Sequence, residues 1–447
     1  MRMFLATAAT LFLTCGLLCS AMAAQQADVI LHHGKVLTVD PHFRIAEALA
    51  VRGQRILAVG ANSEILKLSG PETRKIDLAG KTVMPGLIDS HLHMMSSAMN
   101  EFDHRVPTME TIADVLQYVR SRAAVLKPGE WIGIDQVFIT RLRDKRFPTR
   151  QELDDAAPRN PVVFRTGPDA SVSSWALKLS GIDEQFKIPA DEPGKVERDP
   201  QTGEPTGILR NCHRYVKYVS PEKKANAADR QTRLKALLAA YNEVGITSVS
   251  DRDTDDEDIE VFRALKDRGE LSCRVYITYH VDAQAPWDKI EARVRGAARS
   301  PLHAYDNRLW LHGIKIYLDG GMLTGSAYMR EPWGVSRIYS ITDPKYRGIL
   351  FIQPDRLTKI ARLVLSSDLQ LTAHCVGDAA VEALTAAYEQ VDREFRVRPC
   401  RPCLSHANFM TLAAIERMQK VGIVADMQPV WLYLDGATLR TQFGDAR

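Results

Sequence analysis

The sequence predicts an α/β chain: a TIM-type (β/α) barrel with a small N-terminal β-sandwich domain and an inserted subdomain, the barrel stopping short of an eighth strand. Three observations carry this. Short strand-like runs punctuated by glycine occupy residues 28–83. From Val83 onward strand-like runs alternate with helical ones, as βα units do. Several of those later runs end in a histidine, at the strand ends where barrel active sites lie. The division that follows is 1–23 a signal peptide, 24–83 the β-sandwich part and 84–447 the barrel.

The first segment reads as a secretory leader. Met1-Arg2-Met3 precedes an apolar run from Phe4 to Cys19 and then Ala21-Met22-Ala23, a basic start, a hydrophobic stretch and an A-x-A site. The run is short for a bilayer span and is followed by Ala24-Gln25-Gln26 rather than by charges. Cleavage after Ala23, a secreted or periplasmic product and no membrane anchor are expected. Cys15 and Cys19 follow Thr14 and Leu18, not the small residue of a lipoprotein cleavage site.

In the second segment Val29-Ile30-Leu31, Lys35 to Val39, Ala48 to Val51 and Arg55 to Val59 are separated by Gly34, Gly53 and Gly60, which predicts a small antiparallel sheet unit. In the third, seven barrel strands are expected: Thr82 to His91, Gly245 to Asp251, Leu271 to His280, Leu309 to Leu318, Leu369 to His374, Cys400 to His406 and Val421 to Met427. The stretch from about Met94 to Asn226 is too long for a connection and has strand signals at Trp131 to Ile134 and Pro161 to Phe164. It reads as an inserted subdomain over the barrel mouth. A barrel of this kind closes with eight strands, so truncation after the seventh is the simplest expectation.

A hydrophobic fraction of 45% and a charged fraction of 25% are those of an ordinary globular protein and exclude disordered and fibrous classes. A net charge of +3 without a basic run gives no reason to expect nucleic acid or an acidic membrane. A small-molecule substrate is the expected partner, with a homodimer as the assembly considered. The cysteines beyond the leader, Cys212, Cys273, Cys375, Cys400 and Cys403, are too few to build a disulfide fold. Cys400 and Cys403 read as an incidental pair or one local disulfide.

The chemistry concentrates at strand ends. In Pro85-Gly86-Leu87-Ile88-Asp89-Ser90-His91-Leu92-His93 two histidines stand two positions apart, so on an extended backbone both imidazoles face one ion. Lys315 sits inside the apolar run Gly313 to Leu318, where an unpaired ammonium is costly. Burial lowers its pKa, and a neutral amine can add carbon dioxide to give an anionic bridge between cations; the alternative is a pair with a carboxylate such as Asp319. His374 and His406 each end an apolar run. With His91 and His93 they form a nitrogen-rich set suited to zinc.

These segments resemble the metal-dependent amidohydrolase superfamily, specifically amidohydrolase family 3, the YtcJ-like group that includes N-substituted formamide deformylases. The resemblance runs from about Ala27 to the last residue and rests on Pro85 to His93, Ile314 to Gly320, His374 to Ala379 and His406-Ala407, with Gly203 to Gly207 and Val244 to Val249 beside them. It implies one or two divalent metal ions, zinc by preference: His91 and His93 bind the first, carboxylated Lys315 bridges, and His374 and His406 hold the second. It also implies cleavage of an amide, formamide or related carbon–nitrogen bond by metal-activated hydroxide.

The chain departs from the family pattern twice. The family's strand-eight aspartate, a metal ligand and proton acceptor, has no counterpart; Asp426 is read in the seventh strand and Asp435 in the following loop. Gly167-Pro168-Asp169 stands where relatives often carry a histidine ahead of a segment like Val172 to Leu177. A second reading is therefore a truncated, non-catalytic member that binds metal or ligand without turnover. A periplasmic solute-binding protein is a third, which has no need of the His91 and His93 pair.

Overall fold

The computed structural model describes residues 26–190 and 192–446, so the expected leader lies outside the described residues. The chain divides into a unit ending at Leu87 and a unit beginning at Ile88.

The first unit comprises β1 (Ala27–His32), β2 (Lys35–Leu37), β3 (Ile45–Ala46), β4 (Ala48–Arg52), β5 (Arg55–Gly60), β6 (Ser69–Asp77) and β7 (Thr82–Val83). They form one sheet in the order β5-β4-β1-β6 and another in the order β3-β2-β7. Gly53, at φ 57°, turns the chain between β4 and β5, which pair antiparallel to within two residues of the turn. The expected antiparallel unit is in fact mixed, because β6 lies parallel to β1 and β7 parallel to β2. Helical turns over 62–68 carry the chain back across the sheet, the crossover a parallel pair requires. Ala27, Ile30, Ala48, Ala50 and Ile65 form the buried centre.

In the second unit β8 (Leu87–Leu92) starts five residues later than the predicted first barrel strand. Thr82 and Val83 belong to the other unit's sheet, and Pro85, without an N–H, interrupts the run. The inserted segment folds into β9 (Ile132–Ile134), β10 (Val162–Thr166), β11 (Asp169–Val172), β12 (Lys195–Arg198) and β13 (Pro205–Arg210), one sheet in the order β12-β13-β11-β10-β9. Then follow β14 (Ile246–Thr254), β15 (Arg274–His280), β16 (Leu309–Tyr317), β17 (Gln370–Cys375), β18 (Cys403–His406) and β19 (Val424–Asp426).

These six and β8 make a seven-stranded sheet in the order β8-β14-β15-β16-β17-β18-β19, with β14 through β19 paired parallel. Helices at 256–267, 287–299, 354–365, 378–392 and 412–421 intervene and bury residues such as Phe262, Val294, Ile360 and Leu384 in one core with the strands. The sheet curls until its edges meet. Asp426 on β19 accepts hydrogen bonds from Ser90 Oγ at 2.7 Å and His91 Nδ1 at 3.0 Å on β8. This is a nearly closed TIM-like barrel of seven strands among the described residues. The predicted strand from Cys400 begins only at Cys403, since Arg398–Cys400 is a 3-10 turn and Arg401 is left-handed at φ 50°. Cys400 and Cys403 are free, as are the other three described cysteines.

The inserted sheet packs on residues 322–349, which leave the C-terminal end of β16. Phe147, Ile139 and Phe164 meet Met322, Trp333 and Tyr339 there. Arg210, fully buried on β13, fastens the two together: it pairs with Glu197 and donates to the carbonyls of Thr324, Tyr339 and Ser340. No helix among the described residues is long and apolar enough to cross a membrane.

Candidate metal centre

The five residues singled out in the sequence come together at one rim of the barrel. His91 lies on β8 and His93 just beyond it, with ring centroids 5.5 Å apart. His406, the last residue of β18, stands 4.7 Å from His91 and 4.7 Å from His374 on β17. The parallel β17–β18 register sets His406 opposite Cys375 and not His374; the His406 backbone is left-handed at φ 82°, which breaks strand alternation where its ring meets His374. Lys315 on β16 is fully buried, its Nζ has no hydrogen-bond partner among the described residues, and it rides 5.1 Å from the Tyr317 ring.

Burial sets the protonation of the cluster. It lowers His93 to about 4 and His374 to about 3, with the nearby Lys315 charge adding to both. His406 is pushed well below its ordinary value by burial and by its histidine neighbours. Burial also lowers His91, against the opposing hydrogen bond to Asp426. Lys315 falls to about 8 for the same reason, with Asp253 opposing. Charged forms are disfavoured because little water reaches them, so the imidazoles are neutral and keep lone pairs.

Hydrogen bonds then fix which nitrogen keeps its lone pair. Burial alone would raise Asp426, but the His91 bond and the Arg252 guanidinium, 3.3 Å away, hold it below its ordinary value. An ionised carboxylate only accepts, so His91 Nδ1 carries the proton and Nε2 is left as a buried donor atom without a partner. Gln428 Nε2 donates to the Asp426 carbonyl at 3.1 Å, which turns its Oε1 toward His406 Nδ1 at 2.7 Å. His406 Nε2 is thereby freed. His374 Nε2 faces the Gly320 carbonyl at 3.2 Å, so its Nδ1 is the free nitrogen.

Several sequence expectations change. Lys315 is not paired with Asp319, whose carboxylate accepts from the backbone N–H groups of Val376, Gly377 and Tyr328 and is raised by burial to about 7. Asp435 lies in the helix Val430–Phe443, not in a loop, and is bound by Thr140 and Arg141. Asp169 is buried beside Arg210 and supports the inserted sheet. Sequence reasoning missed Asp253, which accepts from Tyr317 Oη at 2.9 Å and faces His280 Nδ1 at 3.2 Å. Its signal was a second acid two positions after Asp251, on the same strand end. Gln428, a neutral amide just past the end of β19, carried no such signal.

The model of the amidohydrolase family matches residues 74–447. An N-substituted formamide deformylase of Arthrobacter pascens is 30% identical over 410 residues, 89% of this chain and 72% of that protein. Protein LONG AFTER FAR-RED 3 of Arabidopsis thaliana is 26% identical over 436 residues, 94% of this chain and 71% of that one. The solved structure of an uncharacterized metal-dependent hydrolase from Pyrococcus furiosus superposes with a TM-score of 0.62 at 21% identity, covering 94% of this chain and 80% of that one. This protein therefore belongs to the amidohydrolase family and is a hydrolase of that superfamily.

Proposed function

We propose that the protein is a metal-dependent hydrolase that cleaves an amide, formamide or related carbon–nitrogen bond in a small molecule. We further propose that it acts after export, with a leader cleaved after Ala23. The observation that carries the reading is the pair of buried, partnerless nitrogens, His91 Nε2 and Lys315 Nζ, within a set of neutral imidazoles. A nitrogen-rich donor set of this kind suits zinc or a similar borderline cation.

His91, His93, His374 and His406 would hold one or two such ions, with Lys315 joining as its carbamate. A bound ion supplies Lewis acidity and a water whose pKa is lowered toward neutrality. Asp426 and Gln428 orient two of the imidazoles, and burial excludes competing water. Asp253, which accepts from Tyr317 Oη and faces His280, lies at the end of β14.

A second reading, metal or ligand binding without turnover, is favoured by one observation: the rim carboxylate Asp426 is already engaged, accepting from Ser90 and His91. One experiment separates the readings. Zinc-dialysed protein, analysed for metal and screened against N-acyl and N-formyl compounds, should hold at least one equivalent and turn over a member of the set. His91→Ala should hold at least one equivalent less and lose the turnover. Metal without hydrolysis selects the binding-only reading, and folded protein that holds no metal sinks both.

A further inference from the structure

A second cluster of donor atoms lies far along the chain from the barrel histidines, at the turn between β1 and β2. His32 Nδ1 and His33 Nδ1 are 3.1 Å apart, and Asp77 Oδ2 lies 3.1 Å from His33 Nδ1. Among the described residues this is the only set of three His, Cys, Asp or Glu side chains whose ligand atoms all fall within 4.8 Å of one another.

We propose that His32, His33 and Asp77 form a surface binding site for a borderline divalent cation such as zinc. A tetrahedral ion with nitrogen and oxygen ligands at about 2.0–2.1 Å spaces its ligand atoms about 3.3 Å apart. Two of the three separations here are already close to that, so little rearrangement is needed. Two imidazoles and one carboxylate are a zinc donor set, with water or a second molecule free to take the fourth position.

The frame is rigid where it matters. Parallel pairing of β1 with β6 sets His32 opposite Asp77. Leu78 N donates to the His32 carbonyl and Gly80 N to the His33 carbonyl, both at 2.8 Å. His33 N is held by Asn62 Oδ1 at 2.8 Å, and Ala79 N occupies Asp77 Oδ1, leaving Oδ2 for the site. His33 sits in the left-handed region at φ 56°, a conformation histidine shares with asparagine and aspartate more often than other side chains do. The side chains of His33 and Asp77 are 54% and 58% exposed, so an ion can reach them from solvent.

The test is calorimetric titration of zinc chloride into the whole protein and into two variants. His33→Asn removes the imidazole with a residue that tolerates positive φ; Asp77→Asn removes the charge while keeping an acceptor for Ala79. Wild type should bind one equivalent more than either variant. Both substitutions are at exposed positions and leave the barrel residues intact, so a lost equivalent belongs to this site whatever the barrel holds. Unchanged stoichiometry and affinity in either variant overturns the proposal.

Discussion

The two histidine-bearing regions differ in a way that separates proximity from poise. At the β1–β2 turn the donors are close together and wet; at the barrel rim they come from four strands and are dry. The rim brings no three of its histidine, cysteine or carboxylate ligand atoms within 4.8 Å, yet it holds two buried nitrogens without partners, His91 Nε2 and Lys315 Nζ. An exposed imidazole exchanges water for an ion and gains only the difference. A buried donor without a partner already bears a desolvation penalty of about 1–3 kcal/mol, so a ligand relieves a cost that folding imposed.

Substitution at Lys315 presses hardest on that contrast. Lys315→Met should lower hydrolysis by more than about 100-fold, the upper end of what a supporting residue costs. The metal-free protein should melt at the same temperature or higher, because an unpaired buried amine is removed. A clear drop in that melting temperature would mean the amine is paired and the rim is no different from an ordinary ion-pair site. Next comes Asp426→Asn, which takes the charge from behind His91. Metal retention against a chelator should weaken by about 10–100-fold, and an unchanged value would separate His91 orientation from Asp426. The smallest effect is on acid stability. His374 and His93 have folded pKa values near 3 and 4 against an ordinary 6.5. Between those values the unfolded chain binds more protons, so metal-free protein gains stability as pH rises from about 4 to 6.5 and loses it on the way down. His374→Gln should flatten the slope by up to about 1.4 kcal/mol per pH unit, as read by urea unfolding at pH 4.5 and 7.

The parts legible in the sequence were those written locally. Apolar runs ending in His91, His374 and His406 gave both the strands and their working ends, because strand period and burial act over a few residues. Lys315 stood out because a cation inside such a run needs a reason. What stayed hidden depends on closure. Asp426 meets His91 only because the last strand curls round to the first, 335 residues away in the chain. The allegiance of Thr82 and Val83 to the other sheet turns on a pairing with β2 that no local pattern announces. The alternative pairing of Lys315 with Asp319 fails for the same reason: Asp319 accepts from backbone N–H groups in another strand's exit loop.

Arg210 has a bearing on how the insertion is held. Its guanidinium is sealed from solvent and ties the inserted sheet to the segment leaving β16. Prising the two apart would strand a cation and three carbonyls without partners, a change of several kcal/mol. The inserted sheet and the segment leaving β16 are thus held as one piece, and removing the Arg210 guanidinium would loosen both at once.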